Sequence, residues 1–359
     1  MKIDDRFKQY FNGRLHQIFL YITDMCQLHC EHCLYKTTLA PREMDFKTTI
    51  QLLELFSQYG AIKMTILGGE PTLFGIHQNN RPLFDVIRTA KEKGYKYIRL
   101  DTNGQFDPDL LLNRTFQSLN NLSFSLDGYT AEINDKLRGS KSFLRTVQRM
   151  KEAIELGYYV TVTTCVHRGN IHTIKEIIDF VTKIGVKEIN MHPLFKMGIE
   201  RDKFSGNSHL QPKEWLNLYL NIRRNIEKNS YKIRIRMPLR FIKTTEYKKH
   251  SDLYTYCPVR MGERLLIHPN GQIRICALCI GSPYAIASYT TKSINFQSRY
   301  NEIGHNRLRR KPCMSQTRDF GDLTPLCISY KPFQYEYIWV TQKFDDKFTA
   351  DIENRVKHL

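Results

Sequence analysis

Cys26, Cys30 and Cys33 stand on one short stretch with C-x3-C-x2-C spacing, directly after the apolar run Gln17-Ile18-Phe19-Leu20-Tyr21-Ile22. A loop between a strand and the following helix is where α/β enzymes place reactive groups. Three thiolates on such a loop can take three corners of a cubane iron–sulfur cluster and leave its fourth iron open to a small chelating molecule. A structural zinc site wants four closed ligands, usually at C-x2-C or C-x4-C spacing. Bacterial ferredoxins also space their cysteines differently. A chance cluster or a small zinc loop is the bland alternative, since short motifs produce false matches.

Other polar groups recur at the ends of strand-like runs. Gly68-Gly69-Glu70-Pro71 follows Ile62-Lys63-Met64-Thr65-Ile66-Leu67; two glycines let backbone approach a ligand closely, and a carboxylate can pair with an ammonium group. Asp101-Thr102-Asn103-Gly104 follows Tyr95-Lys96-Tyr97-Ile98-Arg99-Leu100, and Ser125-Leu126-Asp127-Gly128 closes the run that starts at Leu122. Asn-Gly and Asp-Gly also serve as plain turns. Arg138 precedes a helical pattern, with a guanidinium suited to gripping a carboxylate at two points, and His192-Pro193 ends a further strand.

With these residues in place, the chain resembles the radical S-adenosylmethionine (SAM) enzymes. The resemblance implies a [4Fe-4S] cluster on Cys26, Cys30 and Cys33 whose open iron binds SAM. Reductive cleavage of SAM then gives a 5′-deoxyadenosyl radical that takes a hydrogen atom from the substrate. It assigns Gly68, Gly69 and Glu70 to the amino group of SAM, Asn103 to SAM binding through its Thr-Asn-Gly segment, Ser125 and Asp127 to the ribose and methionine ends, Arg138 to the carboxylate, and the backbone at His192 to adenine. His32 stands where the family usually has an aromatic residue. The resemblance also implies an external electron donor such as flavodoxin or ferredoxin.

The positioning elements follow from periodicity. From about residue 17 to residue 192, strand-like runs alternate with stretches of helical spacing that end near glycine. Asp45 is expected to cap a helix with Phe46, Ile50 and Leu53 on one face. Leu83, Phe84 and Ile87 mark the next, Asp107-Pro108 opens a short third, and Phe143, Val147, Met150 and Ile154 line a fourth. Ile174, Ile177, Ile178, Val181 and Ile184 line a fifth, and Trp215 to Ile226 a sixth. Repeated βαβ units require a parallel sheet. Pattern alone leaves an open sheet and a partial barrel equal, and the resemblance selects a (β/α)6 partial TIM barrel. The expected division is an N-terminal extension over 1–16, the barrel over 17–229 and a smaller iron–sulfur domain with a tail over 230–359.

That last part carries Cys257, Cys276, Cys279, Cys313 and Cys327. Asn270-Gly271 between two apolar runs signals a hairpin. The C-x13-G-x4-C arrangement resembles the opening of SPASM and twitch domains, which implies a second, auxiliary [4Fe-4S] cluster. Cys257, Cys276, Cys313 and Cys327 are the expected ligands. Cys279 is left as a substitute ligand, a hydrogen-atom donor or a bystander. Cys165 is the other donor candidate, read in preference as a strand cysteine behaving as a small hydrophobe.

Composition sets the bounds. The chain has 359 residues, 41% of them hydrophobic, with nine cysteines and a formal net charge of +18. No apolar run reaches the roughly 18 residues of a membrane span, and the first residues lack the apolar stretch of a signal peptide. A cytoplasmic enzyme using its cysteines for metal or redox chemistry is expected. The basic residues are scattered apart from Arg307-Leu308-Arg309-Arg310-Lys311 and Lys232-Ile233-Arg234-Ile235-Arg236. They are read first as a solvated surface, and a zinc-dependent nucleic-acid protein is kept as the remote alternative. The expected substrate is a peptide, altered by crosslinking, epimerisation or oxidation, with a sugar, cyclitol or aminoglycoside as the alternative.

Overall fold

The computed structural model describes residues 1–11, 13, 15–33, 41–194, 208–210, 212–228, 233–237, 239–249, 262–276, 285–297 and 323–327. A short strand β1 (Lys2–Ile3) and helix α1 (Asp5–Phe11) come first. Strands and helices then alternate: β2 (Gln17–Thr23), α2 (Phe46–Gln58), β3 (Lys63–Gly68), α3 (Arg81–Glu92) and β4 (Tyr97–Thr102). They continue with α4 (Arg114–Gln117), β5 (Asn121–Ser125), α5 (Ala131–Arg138), α6 (Ser142–Glu155), β6 (Val160–Val166), α7 (Ile174–Lys183) and β7 (Glu188–Pro193). The rest comprises α8 (Pro212–Lys228), β8 (Arg234–Arg236), β9 (Leu239–Lys243), α9 (Thr244–Lys249), β10 (Arg264–Ile267), β11 (Gln272–Arg274), β12 (Ala287–Tyr289), β13 (Ser293–Phe296) and β14 (Leu323–Cys327).

The expected α/β architecture is present, and its mostly parallel sheet has the topology of a partial barrel. β2 to β8 lie side by side in chain order, every pair parallel. Two of the strands that extend the row come from beyond residue 229. β8 pairs with β7, and β10 pairs in parallel with the opposite edge at β2. Alternation could not reveal them, because neither takes part in a strand–helix repeat. An edge strand presents unpaired backbone groups, and these late segments cover both edges. The Asn270-Gly271 hairpin forms as expected between β10 and β11, and β12 and β13 continue it antiparallel.

Alternation along each barrel strand separates two faces. Ile18, Leu20, Met64, Ile66, Ile98, Leu100, Leu122, Phe124, Val160, Val162 and Ile189 are fully buried against the surrounding helices. The intervening residues point inward and are largely polar, so the lumen is not the aliphatic plug of a closed barrel. The N-terminal segment is tied in as well: Phe7 and Phe11 are fully buried, and β1 pairs with β13.

Three helical details differ from the sequence pattern. Asp45 does cap α2, its carboxylate accepting from the Thr48 amide at 2.8 Å. However, Phe46 is 39% exposed, and the buried face is Thr49, Leu52, Leu53 and Phe56, one step round the helix. Asp107-Pro108 opens a 3₁₀ turn, with only the four residues of α4 after it. Helix α5 gives no periodic signal in the sequence, because eight residues are too few to display one.

Candidate active site

The cysteine loop leaves the C-terminal end of β2 and is held from four sides. Its first side is the Gly68-Gly69-Glu70 turn. The Gly69 amide donates to the Thr23 carbonyl at 2.7 Å and the Glu70 amide to the Met25 carbonyl at 2.6 Å. A Cβ on Gly69 would lie 2.1 Å from the Met25 carbonyl oxygen, and one on Gly68 2.3 Å from that of Thr23, where φ is also +145°. Both glycines are therefore required by backbone packed against backbone at the root of the cysteine loop.

Glu70 is fully buried and turns back into the protein. Its Oε1 accepts from the Thr72 amide and hydroxyl and from the Thr102 hydroxyl at 2.8 Å, and its Oε2 accepts from the Asn103 amide at 2.7 Å. The carboxylate expected to pair with an ammonium group thus has protein donors on both of its oxygens. The acid is occupied in tying the turn after β3 to the loop after β4, and the backbone of the motif is the part that meets the cysteine loop. Burial pushes the Glu70 carboxyl up, against the pull of these donors.

Asn103 forms the second side. Its Nδ2 lies 3.5 Å from the Cys26 sulfur and 3.2 Å from Gln27 Oε1, while the Asn103 carbonyl accepts from Thr146 at 2.7 Å. The third side is the C-terminus of α5, where the Leu137 carbonyl accepts from the Glu31 amide at 3.0 Å and the Arg138 carbonyl lies 3.7 Å from the Cys30 sulfur.

Asp127 is the fourth. It is fully buried, and its Oδ2 pairs with Arg138 Nε at 2.6 Å and approaches His32 Nε2 at 3.4 Å. Its Oδ1 accepts from the Cys165 amide at 2.7 Å. Burial alone would raise the Asp127 carboxyl, but Arg138 and His32 beside it hold it below the usual carboxylate range. Two residues each expected to contact SAM thus face each other as an ion pair. Burial drives the His32 imidazole down to about 4, so it is neutral at pH 7. Sequence reasoning overlooked Asn134 and Asn170, which hold the backbone of Asp127. Asn134 accepts from the Asp127 amide and Asn170 donates to the Asp127 and Cys165 carbonyls, each at 2.9 Å.

Cys30 is buried; Cys26 and Cys33 are half-buried. Burial is the main reason that the Cys26 thiol is pushed up to about 12, with Glu70, Cys30 and Cys33 adding to it through their nearby charge. Among the described residues no three His, Cys, Asp or Glu side chains converge on a point as a single ion requires. A cubane takes each thiolate at a separate iron, and three cysteines on one loop, near enough for Cys30 and Cys33 to act on the Cys26 thiol, fit that group.

The remaining candidates scatter. Ser125 ends β5 half-buried, two residues beyond Ser123 on the same face. The His192 side chain hydrogen-bonds Asn190 at 2.8 Å and lines a lumen cavity with Arg99 and Arg236. Burial and those two guanidiniums lower it to about 4. Cys165 lies in register with His192, and burial raises its thiol well above the ordinary range. Cys276 is half-buried just past β11, near enough to Tyr21 to add, after burial and Asp101, to the upward shift of that phenol. Cys257, Cys279 and Cys313 lie outside the described residues. Of Cys327 only the backbone is described, paired with Leu239 of β9.

Comparison with known proteins agrees with this geometry. A probable GTP 3′,8-cyclase of Saccharolobus islandicus is 25% identical over 230 residues, covering 64% of this chain and 73% of that protein. The fold matches SuiB of Streptococcus suis bound to its precursor peptide SuiA, with a TM-score of 0.64 and 14% identity over 92% of this chain and 72% of that one. It also matches anSMEcpe with bound AdoMet, with a TM-score of 0.60 and 16% identity over 76% and 77%. The model of the radical SAM superfamily matches residues 20–181. The strands and loops that gather Cys26, Cys30 and Cys33 are a radical SAM domain.

Proposed function

We propose that this protein is a radical SAM enzyme that takes a hydrogen atom from a peptide held in the barrel, leading to a crosslink, an epimerisation or an oxidation. The observation that carries the radical reading is the convergence of four separate loops on Cys26, Cys30 and Cys33 at the C-terminal mouth of a polar lumen. When bound there, a [4Fe-4S] cluster and SAM supply a one-electron reduction that yields a 5′-deoxyadenosyl radical. The chain's own part is placement. The Gly69 and Glu70 amides fix where the loop leaves β2, the Asn103 amide group offers a donor to the Cys26 sulfur, and α5 holds the Cys30 end. The buried Asp127–Arg138 pair fixes α5 against β5 and β6, and the lumen walls keep bulk water from the reacting carbon.

The peptide reading is supported by likeness in fold to SuiB with its bound precursor peptide and to anSMEcpe with bound peptides. We further infer an auxiliary [4Fe-4S] cluster on Cys257, Cys276, Cys313 and Cys327, with Cys279 as a substitute ligand or a hydrogen-atom donor, and an electron donor of the flavodoxin or ferredoxin kind. Among the described residues no helix is long and apolar enough to cross a membrane, and we place the enzyme in the cytoplasm. A second reading, an anionic small-molecule substrate, is favoured by the cationic lumen wall and by likeness to the probable GTP 3′,8-cyclase of Saccharolobus islandicus. The same wall argues against a cationic aminoglycoside.

The test is anaerobic reconstitution followed by iron and sulfide analysis, then a search for 5′-deoxyadenosine after reduction with dithionite. About eight irons per chain in the wild type, and about four when Cys26, Cys30 and Cys33 are all alanine, is the expected result at four per cubane. About four in the wild type and none in the variant would remove the auxiliary cluster. Zinc in place of iron, or no 5′-deoxyadenosine, would overturn the radical reading.

A further inference from the structure

Within the described part of the basic run, Arg234, exposed, and Arg236, half-buried, both border the lumen of the barrel. β8 carries Arg234 and Arg236 into the sheet, in register with Glu188 and Asn190 of β7. Together with Lys63, Arg99 and Arg264 they line a cavity of about 570 Å³ that reaches to the N-terminal ends of the strands, at the far end of the lumen from the cysteine loop. Five cationic side chains meet two carboxylates in that lining, Asp101 and Glu188. Both acids have a cation of the same wall beside them: Asp101 pairs with Arg99, and Glu188 lies 3.9 Å from Arg236. The wall therefore carries an excess of three positive charges by count of its side chains.

Three of the cations are packed against the protein. The Arg99 side chain is 13% exposed and donates to Ser123 at 3.0 Å and Thr163 at 3.3 Å. The Arg236 side chain is 15% exposed, and the Arg264 guanidinium lies 5.2 Å from the centre of the Phe19 ring. Like charges on a concave, weakly polarisable wall focus their field into the space they enclose. Guanidinium forks match the paired oxygens of carboxylate and phosphoryl groups.

We propose that the floor of the barrel is an anion subsite, which holds a phosphoryl or carboxylate group of the substrate while the rest of the molecule extends up the lumen. The position of the hydrogen-donating carbon at the upper end rests on the radical reading above; the anion subsite does not. Strand β2 rises six residue steps from Gln17 to Thr23, roughly 20 Å at about 3.3 Å per step. A substrate reaching both ends is thus the size of a nucleotide or a short peptide with an acidic group.

The experiment is calorimetric titration of the anaerobic holoenzyme with pyrophosphate and, separately, succinate. The wild type is compared with Arg234→Gln/Arg264→Gln and with Arg145→Gln/Lys151→Gln, which removes two charges from exposed positions elsewhere. Binding of at least one anion by the wild type and the surface variant, weakened on the order of tenfold in the floor variant as charge-assisted contacts are lost, supports the subsite. The tighter anion then assigns phosphoryl or carboxylate. Arg264→Lys keeps the charge and retains most of the binding, which separates this loss from misfolding. Equal binding by both double variants, or no binding of either anion by the wild type, overturns the proposal. Anion binding without 5′-deoxyadenosine formation would sink the radical reading alone, and the reverse would sink the subsite alone.

Discussion

At the C-terminal ends of the barrel strands the buried polar groups face one another, whereas toward the N-terminal ends they face a cavity. Around the cysteine loop every prominent side chain has a partner within the protein: Glu70 with Thr72, Thr102 and Asn103, Asp127 with Arg138, and Asn103 with Gln27. Such a network fixes positions, because a buried polar group that moves away from its partner bears its full desolvation cost. The floor sets five cations against two carboxylates on neighbouring strands, so positive charge is in excess where the side chains border the cavity. The upper end is organised to hold a loop still and the lower end to receive a ligand. Substitutions at the two ends therefore differ in what they change.

The largest effect is expected at the loop itself. Cys30→Ala should lower iron by about four per chain and abolish 5′-deoxyadenosine formation, while anion binding at the floor stays unchanged. Loss of both together would mean that the two ends are not separable.

Asp127→Asn comes next. It leaves the Arg138 charge buried without its counter-charge, a loss of about 3–5 kcal/mol for a broken buried pair. Denaturant titration should show a lower midpoint at unchanged slope, and an unchanged midpoint would mean that the pair does not secure α5.

Gly69→Ala sharpens the contrast further. Its Cβ would overlap the Met25 carbonyl, a backbone group that cannot rotate away, and overpacking of this kind costs about 1–3 kcal/mol. Cluster loading should fall more than global stability does. A variant that loads iron normally would show that the loop root tolerates displacement.

The smallest effect is a pH dependence from the lumen wall. His192 titrates near 6.5 when unfolded and near 4 when folded, because burial and the adjacent Arg236 and Arg99 disfavour its charged form. The folded state then binds fewer protons, so its stability is full above pH 6.5 and falls as the pH drops toward 4. The slope is at most about 1.4 kcal/mol per pH unit from this group. A thermal melt series on the wild type and His192→Gln should show a shallower acid loss in the variant. Parallel curves would remove His192 from the account.

Much of the upper end could be read without coordinates. Cysteine spacing, the two glycines and the polar residues after each strand are local signals, and the βα alternation placed all of them at one end of a parallel sheet. The partners were the part that could not be read. Glu70 and Arg138 each looked like a ligand contact, and each turned out to have a protein partner, because sequence gives the type of a polar group but not what it faces. Helix α5 was too short to show a period, yet it supplies the carbonyls that meet Glu31 and Cys30.

The floor shows the other side of that limit. Arg99, on β4, and Arg234 and Arg236, on β8, are far apart in sequence and belong to no motif. They share a wall only because β8 closes the edge of the sheet beside β7. Sequence by itself determined the alternating elements and the chemistry of the cysteine loop, since periodicity and spacing are properties of neighbouring residues. Tertiary structure alone decided which acids were already paired, which segments covered the sheet edges and which cations came to face a common space. Those outcomes depend on contacts between distant residues, and packing in three dimensions selects them.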